Sequence, residues 1–185
     1  MYKYIIVMIM FGACAPVRPV LIEKTADESC KEAVKIAAHW WNDNLEDYIF
    51  DLEEVDKFPK RPDFGTIEIR FKETKDIDGT GPKRQNVGGL TSAHIARTKI
   101  DIERYEDGKC HWSARNIAAH EFGHHLRLRH KKKKKYVRNL MYSGDYDRAA
   151  DPLPDIKYNY GWELTEGQIR RAKRRANTWI GNVFN

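Results

Sequence analysis

Residues 120–130 read HEFGHHLRLRH, and the reading of this stretch decides what kind of molecule the chain builds. His120 and His124 are four residues apart, so on a helix both imidazoles leave the same face, one turn from each other. Two neutral imidazoles so placed can chelate one Zn²⁺ at about 2.0–2.1 Å. Glu121 lies roughly 100° further round the helix, where its carboxylate reaches a water at the metal without being a ligand. His130 follows six residues after His124, far enough for the chain to leave the helix and turn back with a third imidazole. Three His ligands leave the fourth tetrahedral position open, which is the pattern of a catalytic zinc site and not of a closed structural one.

The extended pattern HExxHxxGxxH followed by a Met-turn is the signature of the metzincin metallopeptidases. HEFGHHLRLRH followed by NLMYSGDY, with Met141 at the Met-turn, resembles that signature, most closely in its matrixin branch. The resemblance spans about Thr25 to the C-terminus, and its specific motifs occupy Ala119–Tyr142. It departs at Arg127, which stands where the family has glycine. A non-glycine residue there must accept a positive φ or leave the helix by another route.

The resemblance implies an α+β fold, a metzincin-like zincin catalytic domain. Its parts would be a small, twisted, mixed but mostly parallel sheet with two helices packed on it, the active-site helix at the cleft, and a C-terminal helix after the Met-turn. It implies a zinc endopeptidase in which His120, His124 and His130 hold one catalytic Zn²⁺, Glu121 is the general base, and Met141 is an apolar floor beneath the metal. It also implies an edge strand beside the cleft to which an extended peptide adds through main-chain hydrogen bonds. Leu90, Thr91, Ser92 and Ala93 are the candidates for that strand. The segment after Met141, through Tyr146, would wall the S1′ pocket, with the family's M-Y-P pattern broken at Ser143. A second, structural zinc in the family would use a His such as His94, but no H-x-D partner precedes it.

At 185 residues, 41% apolar and 32% charged, the chain is long enough for one domain with a real core. Residues 1–14, MYKYIIVMIMFGAC, hold one Lys, an apolar run from Tyr4 to Phe11 and then small residues. The run is too short to cross a bilayer and reads as a signal-peptide core. Its F-G-A-C ending resembles a bacterial lipobox, which makes Cys14 the lipidated residue; a buried N-terminal strand is the alternative. The protein is then expected to be exported, lipid-anchored in the envelope if bacterial and secreted otherwise. Apart from Cys14, two cysteines remain, Cys30 and Cys110, an even number suited to one disulfide in an oxidising compartment. Their bridge would close a loop of about 80 residues, worth roughly 4–5 kcal/mol if chain entropy dominates. Two free buried thiols are the other reading. Residues 15–24 read as a short tether, and residues 25–185 as a single catalytic domain.

Within that domain Thr25 and Glu28 form a capping-box pattern that opens a helix with Cys30, Ala33, Val34, Ala37, Trp41 and Leu45 at helical spacing. Asp51–Asp56 is acidic and reads as a solvated connection. Thr66–Lys72 alternates, with Ile67, Ile69 and Phe71 on one face, and reads as a strand. The Gly-, Pro- and Asp-rich 76–89 is a loop; Asp76 and Asp78 offer oxygen ligands for a Ca²⁺, and the plainer reading is that they form turns. Leu90–Arg97 and Lys99–Glu103 give one or two more strands, Glu106–Lys109 a turn, and Ser113 an N-cap for the metal helix, which buries Ala118, Phe122 and Leu126.

Lys131–Lys135 is a run of five lysines, and a second capping box, Thr165 with Gln168, opens a last helix coated by Arg170, Arg171, Lys173, Arg174 and Arg175. Ile169, Ala172, Ala176, Trp179 and Ile180 form its apolar stripe. With a net charge of +6, a solvated surface is the bland reading and an anionic surface as partner the sharper one. The remaining partner is a peptide or protein substrate of a monomeric enzyme. A nucleic-acid partner is disfavoured, because no nucleic-acid motif is present. The rival function is a catalytically inactive metzincin-fold module that binds peptides or anionic surfaces.

Overall fold

The triplet Val20-Leu21-Ile22 is buried at every residue, as suits a strand that has neighbours on both sides and cover above and below. It lies in β1 (Arg18–Glu23). A computed structural model describes residues 17–63, 65–73, 89–93, 97–110, 113–131, 139–141 and 163–178. The further strands are β2 (Phe50–Val55), β3 (Thr66–Glu73), β4 (Gly89–Ala93) and β5 (Arg97–Arg104), and the helices are α1 (Glu28–Leu45), α2 (Ala114–His125) and α3 (Glu166–Thr178). The strands form one sheet in the order β2-β1-β3-β5-β4. β1, β2, β3 and β5 are parallel, and β4 alone runs antiparallel, against β5. The fold is therefore α+β, with a mostly parallel sheet and three helices among the described residues.

Two stretches of the chain depart from the sequence expectation. Residues 18–23 are a core strand and not part of a tether, so the domain includes residues before Thr25. A strand buried on both faces reads as an unbroken apolar run, with none of the alternation that marks a half-exposed one. Pro19 helped to hide it, yet it sits where β1 pairs with β2 alone, since pairing with β3 begins at Val20. Likewise Asp51–Asp56 is no loose connection, because Phe50–Val55 is the edge strand β2. Its exposed Asp51, Glu53 and Glu54 are the charged residues with which a sheet edge resists pairing with other chains.

Helix α1 links β1 to β2. Cys30, Ala33, Val34, Ala37, Trp41 and Leu45 are all buried, as their spacing requires. Its N-cap is Asp27 and not Thr25: the Asp27 carboxylate accepts the Ser29 N–H at 2.9 Å. A carboxylate there also meets the positive end of the helix dipole. Cys30 and Cys110 form a disulfide that ties the first turn of α1 to the chain just ahead of α2. The indole of Trp41 donates to Ala119 O at 2.8 Å, and Phe50 stacks on Phe122 with ring centroids 4.8 Å apart. Both contacts fix α2 against α1 and the sheet.

The expected capping box of α3 is present. Thr165 N–H donates to Gln168 Oε1 at 2.9 Å and Gln168 N–H to Thr165 Oγ1 at 3.3 Å. Ala172 and Ala176 are buried, while Arg170, Arg171, Arg174 and Arg175 are exposed. At the other end of the helix, buried Arg18 donates to the carbonyls of Arg175 (3.1 Å) and Ala176 (3.3 Å). This satisfies acceptors that the last turn leaves open. Burial pulls the pKa of Arg18 down to about 10. Trp179 and Ile180 lie outside the described residues, and so do Cys14, Asp76, Asp78, His94, Lys132–Lys135, Ser143 and Tyr146.

Candidate metal centre

Helix α2 ends one residue after its second candidate ligand, and the way it ends brings in the third. Ser113 is its N-cap by position, but its side chain makes no capping bond. At the C-terminus Arg127 N–H donates to His124 O and Leu128 N–H to Gly123 O, both at 2.9 Å. This 5→2 and 6→1 pair is a Schellman motif with Arg127 in the left-handed position. Arg127 holds φ at 60°. The arginine thus makes the turn expected of glycine and bears the strain, about 1–2 kcal/mol for a side-chain-bearing residue. Leu128 buries itself beyond the turn, and the chain comes back with His130.

His120, His124 and His130 offer three ligand atoms within 4.8 Å of one another, the one such cluster among the described residues. His130 Nε2 lies 3.0 Å from His120 Nε2 and 2.9 Å from His124 Nε2. His120 Nδ1 is 2.7 Å from Leu140 O, and His124 Nδ1 is 3.0 Å from Leu128 O. A carbonyl can only accept, so Nδ1 of each ring carries the proton and Nε2 presents a lone pair. Lone-pair nitrogens so close repel one another unless a proton or cation is shared among them. The donor set, with each of two rings oriented by a backbone carbonyl, therefore fits a divalent metal that prefers imidazole. His120 and His124 are half-buried and His130 is exposed, so the cluster opens to solvent.

Glu121 is only 6% exposed. Thr91 Oγ1 donates to its Oε2 at 2.5 Å. Burial raises the carboxyl pKa, and the Thr91 hydrogen bond and nearby His124 pull against that rise. Of the four edge-strand candidates, Thr91 faces α2 and Ser92 is exposed; the side chains of Leu90 and Ala93 lie outside the description. β4 ends the sheet, and its edge away from β5 has no strand neighbour among the described residues.

Met141 is fully buried. A Cβ added at Gly123 would overlap its sulfur and would reach within 3.3 Å of Trp41 Cζ2. The glycine in HEFGH is thus what lets Met141 lie directly against α2. Lys131 N–H donates to Met141 O at 2.7 Å, tying the return after His130 to the same turn. Asn139 holds that turn from the other side. Its Oδ1 accepts Met141 N–H at 3.1 Å and Gln168 Nε2–H at 3.1 Å, and its Nδ2 donates to Glu163 O at 2.7 Å and Gln168 Oε1 at 2.8 Å. His125, next to a ligand candidate in sequence, points the other way: it is 4% exposed and shares a 2.8 Å hydrogen bond with Thr98 Oγ1. Burial, then the Arg18 and Arg127 charges, hold its pKa well below the usual range.

No protein-family model matches this sequence, and no curated protein matches it significantly.

The helix, its apolar face and the three histidines were readable from spacing, and the structure brings the histidines together. Sequence reasoning missed the links around them, namely Thr91 to Glu121, Thr98 to His125, and Asn139 to Gln168. Only the last carried a signal: Gln168 was visible as a capping residue, but no local pattern points to its second partner.

Proposed function

We propose that the protein is a zinc-dependent endopeptidase of the metzincin type, matrixin-like around its metal motif. The observation that carries this reading is the meeting of three imidazoles beside a buried carboxylate, with His120, Glu121 and His124 on one helix. A Zn²⁺ held there would supply Lewis-acid polarisation of the scissile carbonyl and would make water acidic enough to react near neutral pH. His120, His124 and His130 would hold the ion, with Leu140 O and Leu128 O fixing the tautomers of the first two. Glu121 takes the proton of the attacking water and delivers it to the leaving amine. A base whose pKa is raised toward the working pH suits both transfers. The edge of β4 away from β5, with residues 90–93, receives an extended peptide, and Met141 forms the apolar floor.

Export, with Cys14 as a lipid attachment point, accompanies this reading. The disulfide is compatible with it, and no described helix is long and apolar enough to cross a membrane. Against the rival inactive module stands Arg127, which makes the turn of the family's glycine and so leaves the third histidine in reach. What remains for the rival is the basic surface of α3. Cleavage of a mixed peptide library tests the proposal: activity should vanish with a chelator and return with added Zn²⁺. Activity that survives the chelator unchanged would count against it.

A further inference from the structure

The side chains of a strand alternate between its faces. In β4 this alternation turns Thr91 toward α2, where its hydroxyl reaches the Glu121 carboxylate at 2.5 Å and lies 3.3 Å from the same residue's main-chain oxygen. The two residues are thirty apart in sequence. Thr is β-branched and stiff about χ1, so its donor is held by the sheet rather than by a flexible stem. Glu121, by contrast, has three rotatable bonds, and at 6% exposure little water is present to fix its carboxylate.

We propose that Thr91 is a positioning residue for Glu121: its hydroxyl anchors Oε2 so that Oε1 faces the reacting water. The inference rests on the endopeptidase reading for the role of Glu121, but the hydrogen bond itself does not. The strand that would hold the peptide is then also the strand that aims the group moving its proton. A substrate that shifts β4 shifts the base with it, so register along β4 and proton transfer are coupled.

The test uses the full-length, zinc-loaded protein as wild type, Thr91→Val and Thr91→Ser. Three quantities are read: kcat and KM separately on a cleaved peptide, zinc content, and the affinity for acetohydroxamate. That chelator gives up a proton to a carboxylate beside the metal, so it reports on the aim of Glu121 without turnover. Loss of one hydrogen bond to a charged group predicts that kcat of Thr91→Val falls about ten- to a hundredfold. KM and zinc content should stay within about twofold, acetohydroxamate affinity should fall about tenfold, and Thr91→Ser should restore both losses. A Thr91→Val protein with wild-type kcat and wild-type acetohydroxamate affinity would overturn the proposal. So would a loss that Ser does not repair or that tracks loss of zinc, since either marks a merely structural role. If wild type cleaves no peptide, the endopeptidase reading fails, and the acetohydroxamate comparison still decides whether Thr91 aims Glu121.

Discussion

Arg127 donates its backbone N–H to His124 O at 2.9 Å while holding φ at 60°. The carbonyl of a ligand candidate is thus bound by the strained residue that turns the chain toward His130. Arg127→Gly should relieve the strain, less the entropy that glycine adds to the unfolded chain, for a net gain of about 0.5–1 kcal/mol. The expected rise in Tm is roughly 2–3 °C, with zinc affinity unchanged. Thermal unfolding of the two proteins checks this, and an unchanged or lower Tm would mean that the arginine side chain contributes more than its backbone loses.

Asn139 and Gln168 lock the Met141 turn to the start of α3 through a reciprocal amide pair. Asn139→Ala leaves Met141 N–H and Gln168 Nε2–H, both buried, without the acceptor they share, while Gln168 Oε1 keeps the Thr165 N–H. The loss should be about 2–3 kcal/mol in urea unfolding, with zinc affinity also reduced because Leu140 O orients His120. A stable variant with full zinc affinity would show that the turn holds itself.

The Cys30–Cys110 bridge spans 80 residues of sequence. A Cys30→Ser/Cys110→Ser protein should lose about 4–5 kcal/mol, seen as a fall in Tm of roughly 10–15 °C. A fall of under about 3 °C would mean that the α1 and α2 packing already closes that loop.

His125 gives a pH dependence whose sign follows from its lowered pKa. The folded protein keeps this imidazole neutral, whereas the unfolded chain takes up a proton below about pH 6.5. The unfolded state then binds more protons, so stability is full above about pH 6.5 and declines as the pH falls below it, by at most about 1.4 kcal/mol per unit from this group. Urea midpoints of the chelator-treated protein at several pH values, compared with those of His125→Gln, isolate the effect. Parallel profiles for the two proteins would rule His125 out as the cause.

The parts of the fold that the sequence disclosed share a simple periodicity. The stripe of α1, the alternation in β3 and β5, and the spacing of His120 and His124 each follow from one element's geometry. β1 and β2 escaped because their patterns are set by neighbours: Val20–Ile22 has cover on both faces, and the acidic residues of β2 guard an edge. The αL turn at Arg127 could be posed only as a choice, since the cost of the strain is set by how firmly Leu128 and Gly123 close the motif. Thr91 and Asn139 lie thirty and twenty-nine residues from Glu121 and Gln168, a separation at which no local pattern exists to be read.

The most direct test of the central claim is metal content measured together with peptide cleavage, for wild type and Glu121→Ala. The account predicts about one zinc per chain in both proteins, since Glu121 is not a ligand, with cleavage by wild type alone. Wild-type protein that binds no zinc would contradict it, and so would a Glu121→Ala protein that cleaves as fast as wild type.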